Sequence, residues 1–578
     1  MNNETILLLE KYFDVAFAAP DGVKKLRELI LSLAMQGKLV PQDPSDQSAR
    51  ELLKEIEAEK SRLVKDGKIK ASKPLPEIKP DEVPYDLPKA WEWVRLGDII
   101  FDAKTGIDKG KEFQSESNDY PYFKMNNISN FGYCDFSNVN RINYEGDDYK
   151  KYVLRDGDFL FNTRNSKELV GKTCIFQSPN NELWFFNNNI LRIEFSYSIE
   201  KYFANFWFLS RLGKIELEKL KSATTNVAAI YQGRLVLFPI PIPPLAEQRR
   251  IVAKIDELMA RCDELEKLRQ VHAQKQITVH NAALNQLLTA KDHNDFKTSW
   301  HFITQHFGEL YSVKANVAEL RKAILQLAVM GKLVPQDPND QPASVLVNTI
   351  KAKKILAREK TKNNSTGQSF KNFENIPFKI PSSWTWQKVV DLYDVSGGIQ
   401  KTPQRTPLLN FSPYLRVANV QRGRLNLEKI EYFELLDGEL DKWRLQSGDL
   451  LVVEGNGSDK EIGRCAIWNG EIENCVHQNH IIRMRPINHD GQLFTLIFLN
   501  SPSGMAEMRS LAITTSGLYS LSVGKIREIL IPFPPLAEQH RIVAKIDQLM
   551  TLCDELEKQI DIADHKKTNL LNSVMTKV

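Results

Sequence analysis

The sequence predicts an α+β protein: two mixed α/β domains joined by a pair of long antiparallel coiled-coil helices, as an internal tandem duplication with a pseudo-two-fold cyclic arrangement. Three observations predict it. A block around "LAMQGKLVPQDP" occurs twice. A second block opening on "PPLAEQ" also occurs twice and carries heptad spacing. The stretches between them hold short β-branched and aromatic runs separated by Gly and Asn turns.

The duplication is read by direct comparison of the two halves. Residues 26–60 recur at 320–354 with 21 of 35 positions identical, and residues 243–267 recur at 534–558 with 21 of 25 identical. Between these anchors the likeness is thin but alignable: "DGDFLFNTRNSKELVGKTCIF" parallels "SGDLLVVEGNGSDKEIGRCAIW". The order along the chain is short block, variable domain, long block, then the same three again. A long block runs into a short block mid-chain, and the last long block finds its matching short block at the other terminus. A two-fold arrangement closes if the termini meet.

The elements follow in order. The short block reads as a helix from about Leu26 to Met35, stopped by Gly37, with "PQDP" as a turn; its copy stops at Gly331. Pro-bearing polar connections lead into the variable domains, whose runs "DFLFN", "WFFNNNILRIEF", "DLLVVE" and "HIIRMRP" read as strands of mixed α+β globules. In the long block Ile251, Ile255, Leu258, Cys262 and Leu265 step by four and three, as do Ile542, Ile546, Leu549, Cys553 and Leu556. That is a heptad seam on a helix begun by a proline pair, with Cys262 and Cys553 as small apolar seam residues. The resulting division is 1–87 (helical region with the short block), 88–242 and 378–533 (variable domains), 243–377 (long helix and second short block) and 534–578 (second long helix).

Composition bounds the class. The 578 residues exceed one core, and 42% hydrophobic and 26% charged residues are ordinary for a soluble globular chain. A net charge of +4 neither demands nor excludes a nucleic-acid partner. The six scattered cysteines show no CxxC or Cys/His ligand spacing, so they read as reduced thiols of a cytoplasmic protein. The N-terminal "MNNETILLLEKYFDVAFAAP" is broken by acidic residues and reads as a helix of the soluble chain.

A seam alone preserves only the apolar stripe. Here polar positions repeat too, including Glu247, Gln248, Arg250 and Lys254 with Glu538, Gln539, Arg541 and Lys545, while the variable domains have drifted far apart. The expectation is that each helix presents these residues to an identical partner.

The chain resembles the specificity subunit of type I restriction-modification systems over nearly its whole length. The carriers are "PIPIPPLAEQRRIVAKIDEL" and "IPFPPLAEQHRIVAKIDQL", the "LAMQGKLVPQ" and "LAVMGKLVPQ" blocks, and "GDLLVVEGNGSDKEIGRCAIW". The resemblance implies that each variable domain is a target recognition domain reading half of a split double-stranded DNA site. It implies that the paired helices set the unread gap, and that two modification subunits dock to form an adenine-N6 methyltransferase using S-adenosylmethionine. Restriction subunits would add ATP- and Mg-dependent translocation and cleavage. A long helix of roughly 70 Å, against about 34–36 Å per DNA turn, suits such a spacer.

No Asn-Pro-Pro-Tyr-type tetrapeptide, phosphate loop, HExxH or Rossmann glycine spacing is present, so the chain reads as non-catalytic, without metal or cofactor of its own and without a membrane partner. The rival readings are a self-sufficient methylase-nuclease, which lacks a visible motif, and a scaffold binding only protein, which leaves the diverged globules idle. Candidate DNA contacts are the polar and basic residues of matching loops. In the first domain these are Lys104, Thr105, Lys109, Lys111, Lys124, Asn126, Arg164, Asn165, Ser166 and Lys167. In the second they are Lys401, Thr402, Arg416, Asn419, Asn456, Ser458 and Lys460. Asn187, Asn188 and Asn189, set against His477, Gln478 and Asn479, read as turn residues, and His480 as a lone structural histidine.

Overall fold

The apolar runs "FLFN" and "LLVV" become the central strands of two equivalent antiparallel sheets. Phe159–Asn162 lies between Ile190–Phe195 and Thr173–Ile175, with Ile100–Thr105 outside Ile190–Phe195. Leu450–Val453 is flanked likewise by Ile481–Pro486 and Cys465–Ile467, with Tyr393–Ser396 outermost. Every residue of both central strands is buried. Side chains alternate between faces, so Phe159 and Phe161 enter one core and Leu160 another, and Leu450 and Val452 separate from Leu451 and Val453 in the same way. A strand covered on both faces gains nothing from polar alternation, which is why these runs are continuous.

The computed structural model describes residues 12–71, 73–223, 227–360, 376–456, 461–515 and 518–577. The chain divides into two units, Met1–Gln270 with Ala563–Val578, and Val271–Ile562. In each, a strand pair closes the variable domain just before a long helix: Glu92–Arg95 with Pro239–Ile242, and Thr385–Lys388 with Leu530–Phe533. The "GD" pair opens each central strand from a turn. Gly157 and Gly448 take φ of 85° and 93°, and the following Asp158 and Asp449 accept from the backbone N–H of Arg155 and Gln446. Only glycine enters that left-handed region cheaply.

The five sequence segments do not fold as five bodies. In the first unit Ile30 and Leu31 of the short-block helix Gly22–Met35 share one core with Trp91, Phe203, Ile251 and Ile255. Composition marks the segment boundaries, but burial of each apolar face needs its neighbours. The short-block helices do end where expected: Gly37 and Gly331 take φ of 66° and 68°, and each lies against a proline and a tryptophan, Pro88 with Trp91 and Pro381 with Trp384.

The long helices span Leu245–Thr289 and Leu536–Lys577, 45 and 42 residues. Their heptad residues Ile251, Ile255, Cys262, Ile542, Ile546 and Cys553 are at most 5% exposed. The heptad stripe also meets the short-block helix of its own unit. In the first unit this stripe lies in the core with Val23, Ile30 and Leu31 of the short-block helix. Arg27 of that helix reaches the Met259 carbonyl, Asp263 at 2.7 Å and Glu266 at 3.1 Å. In the second unit Arg321, on the helix Lys314–Val329, meets the Met550 carbonyl, Asp554 and Glu557 in the same way. Heptad spacing demands a neighbouring helix without saying which. The far end of each long helix joins the unit in which the other begins. Leu284 and Leu287 share a core with Ile542 and Cys553 in the second unit, and Leu571 packs with Phe17 and Leu29 in the first.

The duplicated polar residues also have an internal explanation. Glu247, 1% exposed, accepts from Trp91 Nε1 at 3.1 Å and from the Gln42 amide; Glu538, also 1% exposed, accepts from Trp384 Nε1 at 2.8 Å and from the Gln336 amide. Gln248 and Gln539 donate to the Pro243 and Pro534 carbonyls at 2.9 Å. Arg250 forms a two-pronged pair with Asp46, and Arg541 with Asp340, at 2.6 and 3.2 Å in both copies. The expectation that Glu247, Gln248, Glu538 and Gln539 face a partner is therefore corrected: these residues are alike in both copies because short and long block grip each other, while Arg250 and Arg541 keep 36% and 37% of their side chains exposed. Lys254 and Lys545 stay half-exposed and bond along their own helix to Glu257 and Gln548.

Burial pushes the Glu247 and Glu538 carboxyls up, so a neutral amide there loses little. Glu247→Leu, which strands two donors, should cost about 2 kcal/mol, and Glu247→Gln well under half of that. Urea unfolding checks this ranking, and the same ranking is expected at Glu538.

Candidate nucleic-acid interface

Each variable domain is organised around one corner, and the backbone hydrogen bonds of the two corners coincide. In the first, Asn187 N–H donates to the Phe123 carbonyl at 2.9 Å, Asn188 N–H to Ile107 at 2.9 Å, and Thr163 N–H to Asn189 at 2.8 Å. In the second, Gln478 N–H donates to Leu415 at 3.0 Å, Asn479 N–H to Ile399 at 2.8 Å, and Glu454 N–H to His480 at 2.9 Å. Asn187 thus corresponds to Gln478, and Asn189 to His480, one residue on from the pairing expected from sequence. Asn187 is buried; its amide donates to the Tyr122 hydroxyl at 2.6 Å, and that hydroxyl donates to the Ile107 carbonyl at 2.7 Å.

Around the first corner the candidate residues separate into exposed and tethered groups. Thr105 ends its strand exposed, and Arg164 projects from the short strand Arg164–Asn165. Both line a cleft of about 210 Å³ with Thr163, Asn188, Asn189 and Tyr231. Lys104 is exposed beside Asp102 at 2.8 Å, Lys111 is exposed, and Lys109 lies over the Phe113 ring. Lys124 donates to Gln114 at 2.9 Å, and burial together with Lys111 pushes its ammonium pKa down. Asn126 is exposed and donates to the Asn138 carbonyl at 3.3 Å. Asn165 bonds Asn162 at 3.2 Å and accepts from Ser166 N–H, so both shape the turn; Lys167 is exposed.

In the second domain Lys401 and Arg416 converge on Glu431, at 3.5 and 2.5 Å. The Tyr414 hydroxyl bonds the same carboxylate at 2.8 Å and, with both cations, holds it below the usual carboxylate range. Thr402 precedes the turn Pro403–Arg405, half-exposed. Asn419 is corrected as a DNA contact. It is 3% exposed, donates to the Asn426 and Lys429 carbonyls at 2.8 and 3.0 Å and accepts from Arg416 N–H. Its counterpart is Asn127, which makes the same bonds to Asp135, Asn138 and Lys124, so the asparagine in "VAN" is a loop staple. Asn456 pairs with Tyr519 in a short sheet, while Ser458 and Lys460 lie outside the described residues.

Sequence reasoning passed over Thr163 and Glu454 and read His480 as a lone structural histidine. His480 is not alone: its Nδ1 lies 3.4 Å from Glu454 Oε2. Aligning "GDFLFNT" with "GDLLVVE" places Thr163 opposite Glu454, the one signal in the sequence that pointed there.

The corner is thus one frame used twice with different exposed side chains. The sequence profile of the type I restriction modification DNA specificity domain matches residues 88–274 and 384–563, so each match takes in one corner and the start of one long helix. The chain belongs to this family. It is a type I restriction-modification specificity subunit with two DNA specificity domains in tandem. Among curated relatives, the type I restriction enzyme EcoAI specificity subunit of Escherichia coli is 31% identical over 569 residues, covering 96% of this chain and 93% of that protein. The EcoEI specificity subunit of Escherichia coli is 30% identical over 580 residues with the same coverage. The crystal structure of the HsdS subunit from Thermoanaerobacter tengcongensis aligns with 85% of this specificity subunit and 98% of that chain, at 18% identity and a TM-score of 0.40.

Proposed function

We propose that this specificity subunit is non-catalytic and reads a bipartite, asymmetric DNA target, one half-site per variable domain. The observation that carries the reading is the repeated corner: identical backbone bonds carry Thr163, Arg164 and Asn189 in one domain and Glu454, Gly455 and His480 in the other. Identical frames place readers alike, and unlike side chains make them read different bases. The two long helices act as the spacer that sets the unread gap. The far end of each helix packing in the unit where the other begins supports this, with Leu571 in one core with Phe17 in the first unit and Leu284 in one core with Ile542 in the second.

Two modification subunits dock on this chain and restriction subunits through them. Asp256 and Glu264, with Asp547 and Glu555, are exposed and identical in both copies, which supports two like docking faces. S-adenosylmethionine, ATP and Mg belong to those partners, and the flipped adenine enters the methyltransferase pocket and not this chain. The assembly works in the cytoplasm; among the described residues no helix is long and apolar enough to cross a membrane.

Mapping methyladenine in cells carrying this chain with its modification subunit tests the reading. A split motif is expected, and exchanging residues 88–242 for those of a relative should change one half-site and leave the other and the gap intact. A change in both halves, or methylation independent of the chain, overturns it.

A further inference from the structure

We infer that Glu454 and His480 are the base-reading pair of the second domain, the residues that make its half-site differ from the first; the inference rests on the DNA-recognition reading above. The two positions are fixed by backbone bonds that both domains share. Glu454 N–H donates to the His480 carbonyl at 2.9 Å and Leu521 N–H to the Glu454 carbonyl at 2.7 Å, as Thr163 N–H donates to Asn189 at 2.8 Å and Ile230 N–H to Thr163 at 2.9 Å. The frame therefore needs neither side chain at either position. What differs is the chemistry displayed. In the first domain the Thr163 hydroxyl is spent on the Asn189 carbonyl at 2.9 Å, and the exposed Arg164 beside it supplies donors to the cleft. In the second domain Gly455 stands in place of Arg164, and a Cβ there would meet only the Tyr519 carbonyl at 3.4 Å. That leaves the Glu454 and His480 side chains open, 27% and 56% exposed, 3.4 Å apart.

A carboxylate at this place has a sharp consequence. It only accepts hydrogen bonds, so it favours a base edge that presents an amino group, cytosine N4 or adenine N6. Guanine and thymine at the same place present carbonyl oxygens, which would face the carboxylate with no proton between them. Such an unpaired acceptor discriminates more strongly than a missing contact. His480, with Nδ1 turned to the carboxylate, keeps Nε2 for the neighbouring edge. The arginine-bearing first domain has the opposite preference, toward guanine edges or phosphate.

The test uses the complete complex of this chain with its modification subunits. Once the wild-type motif is mapped, binding is measured on duplexes in which each base pair of both half-sites is varied singly. Glu454→Gln, whose amide donates as well as accepts, should reduce discrimination at one or two adjacent pairs of one half-site by roughly 10- to 100-fold. The other half-site should be untouched. His480→Asn, which installs the residue found at position 189, should act at the same or the adjacent pair and stands as the second arm if the first variant misfolds. Preferences within twofold of wild type at every pair for both variants would leave a surface contact only and end the inference. An equal loss on specific and random duplexes ends it too, because losing a base reader spares nonspecific affinity. A wild-type complex that modifies no split motif refutes the recognition reading instead.

Discussion

Arg485→Ala should destabilise the second unit by about 3–5 kcal/mol, the cost of leaving one partner of a buried ion pair without the other. Asp449 has no exposed side-chain surface. Arg485 Nε and a terminal guanidinium nitrogen meet its two oxygens at 2.8 and 2.7 Å, and Gln446 N–H adds a third bond at 2.8 Å. Without the guanidinium, a carboxylate is left in a dry pocket with one backbone donor. The first unit shows what makes this pair necessary. Asp158 in the same turn accepts from Arg155 N–H and lies 3.8 Å from Arg192, and Glu194 stands where Arg485 does, but the Asp158 side chain keeps 21% exposure to water. Burial pushes the Asp158 carboxyl up, so that site tolerates partial charge loss. Adding Asp449→Asn to Arg485→Ala should recover a large part of the loss, since Asn still accepts from Gln446 N–H and carries no charge. Urea unfolding of the two single variants and the double variant closes the cycle; a double variant as unstable as the sum of the singles contradicts the account.

Acidification should weaken the second unit through His477. This ring is fully buried, and burial together with Arg483 lowers its pKa from 6.5 to about 4. In the unfolded chain the ring takes a proton near its ordinary value; in the folded chain it does so only near 4. The neutral ring therefore contributes stability that is present above pH 6.5 and is lost as pH falls toward 4, about 3 kcal/mol in all. His280, buried in the same unit with its pKa also lowered by burial, adds a slope of the same sign. The backbone bonds of the corner place Phe186 where the second domain has His477, with Arg192 over its ring as Arg483 neighbours the histidine. His477→Phe should therefore fold and show a visibly shallower fall of melting temperature between pH 7 and 4.5. Equal slopes in variant and wild type would exclude His477 as the cause.

How much was legible in the sequence depended on how local the responsible force is. The helix stops at Gly37 and Gly331, the buried central strands and the long helices from Leu245 and Leu536 all follow from backbone sterics and periodicity within a few residues. Asn419 failed as a DNA contact because an asparagine in a polar loop looks the same whether its amide faces solvent or staples the loop from within. Glu247 and Glu538 failed as partner contacts for a related reason. Identity between copies records a constraint, and the constraint was Trp91 and Trp384, more than 150 residues away in sequence.

By itself the sequence determined the tandem order, the element types and the seam positions, because each is written in spacing that one helix or strand enforces on its own. Only the tertiary structure decided which helix fills the seam, why the polar blocks repeat, and that Glu454 and His480 stand where the first domain carries Thr163 and Asn189. Those are matters of which surfaces meet, and contact between residues far apart in the chain leaves no period in the sequence to read.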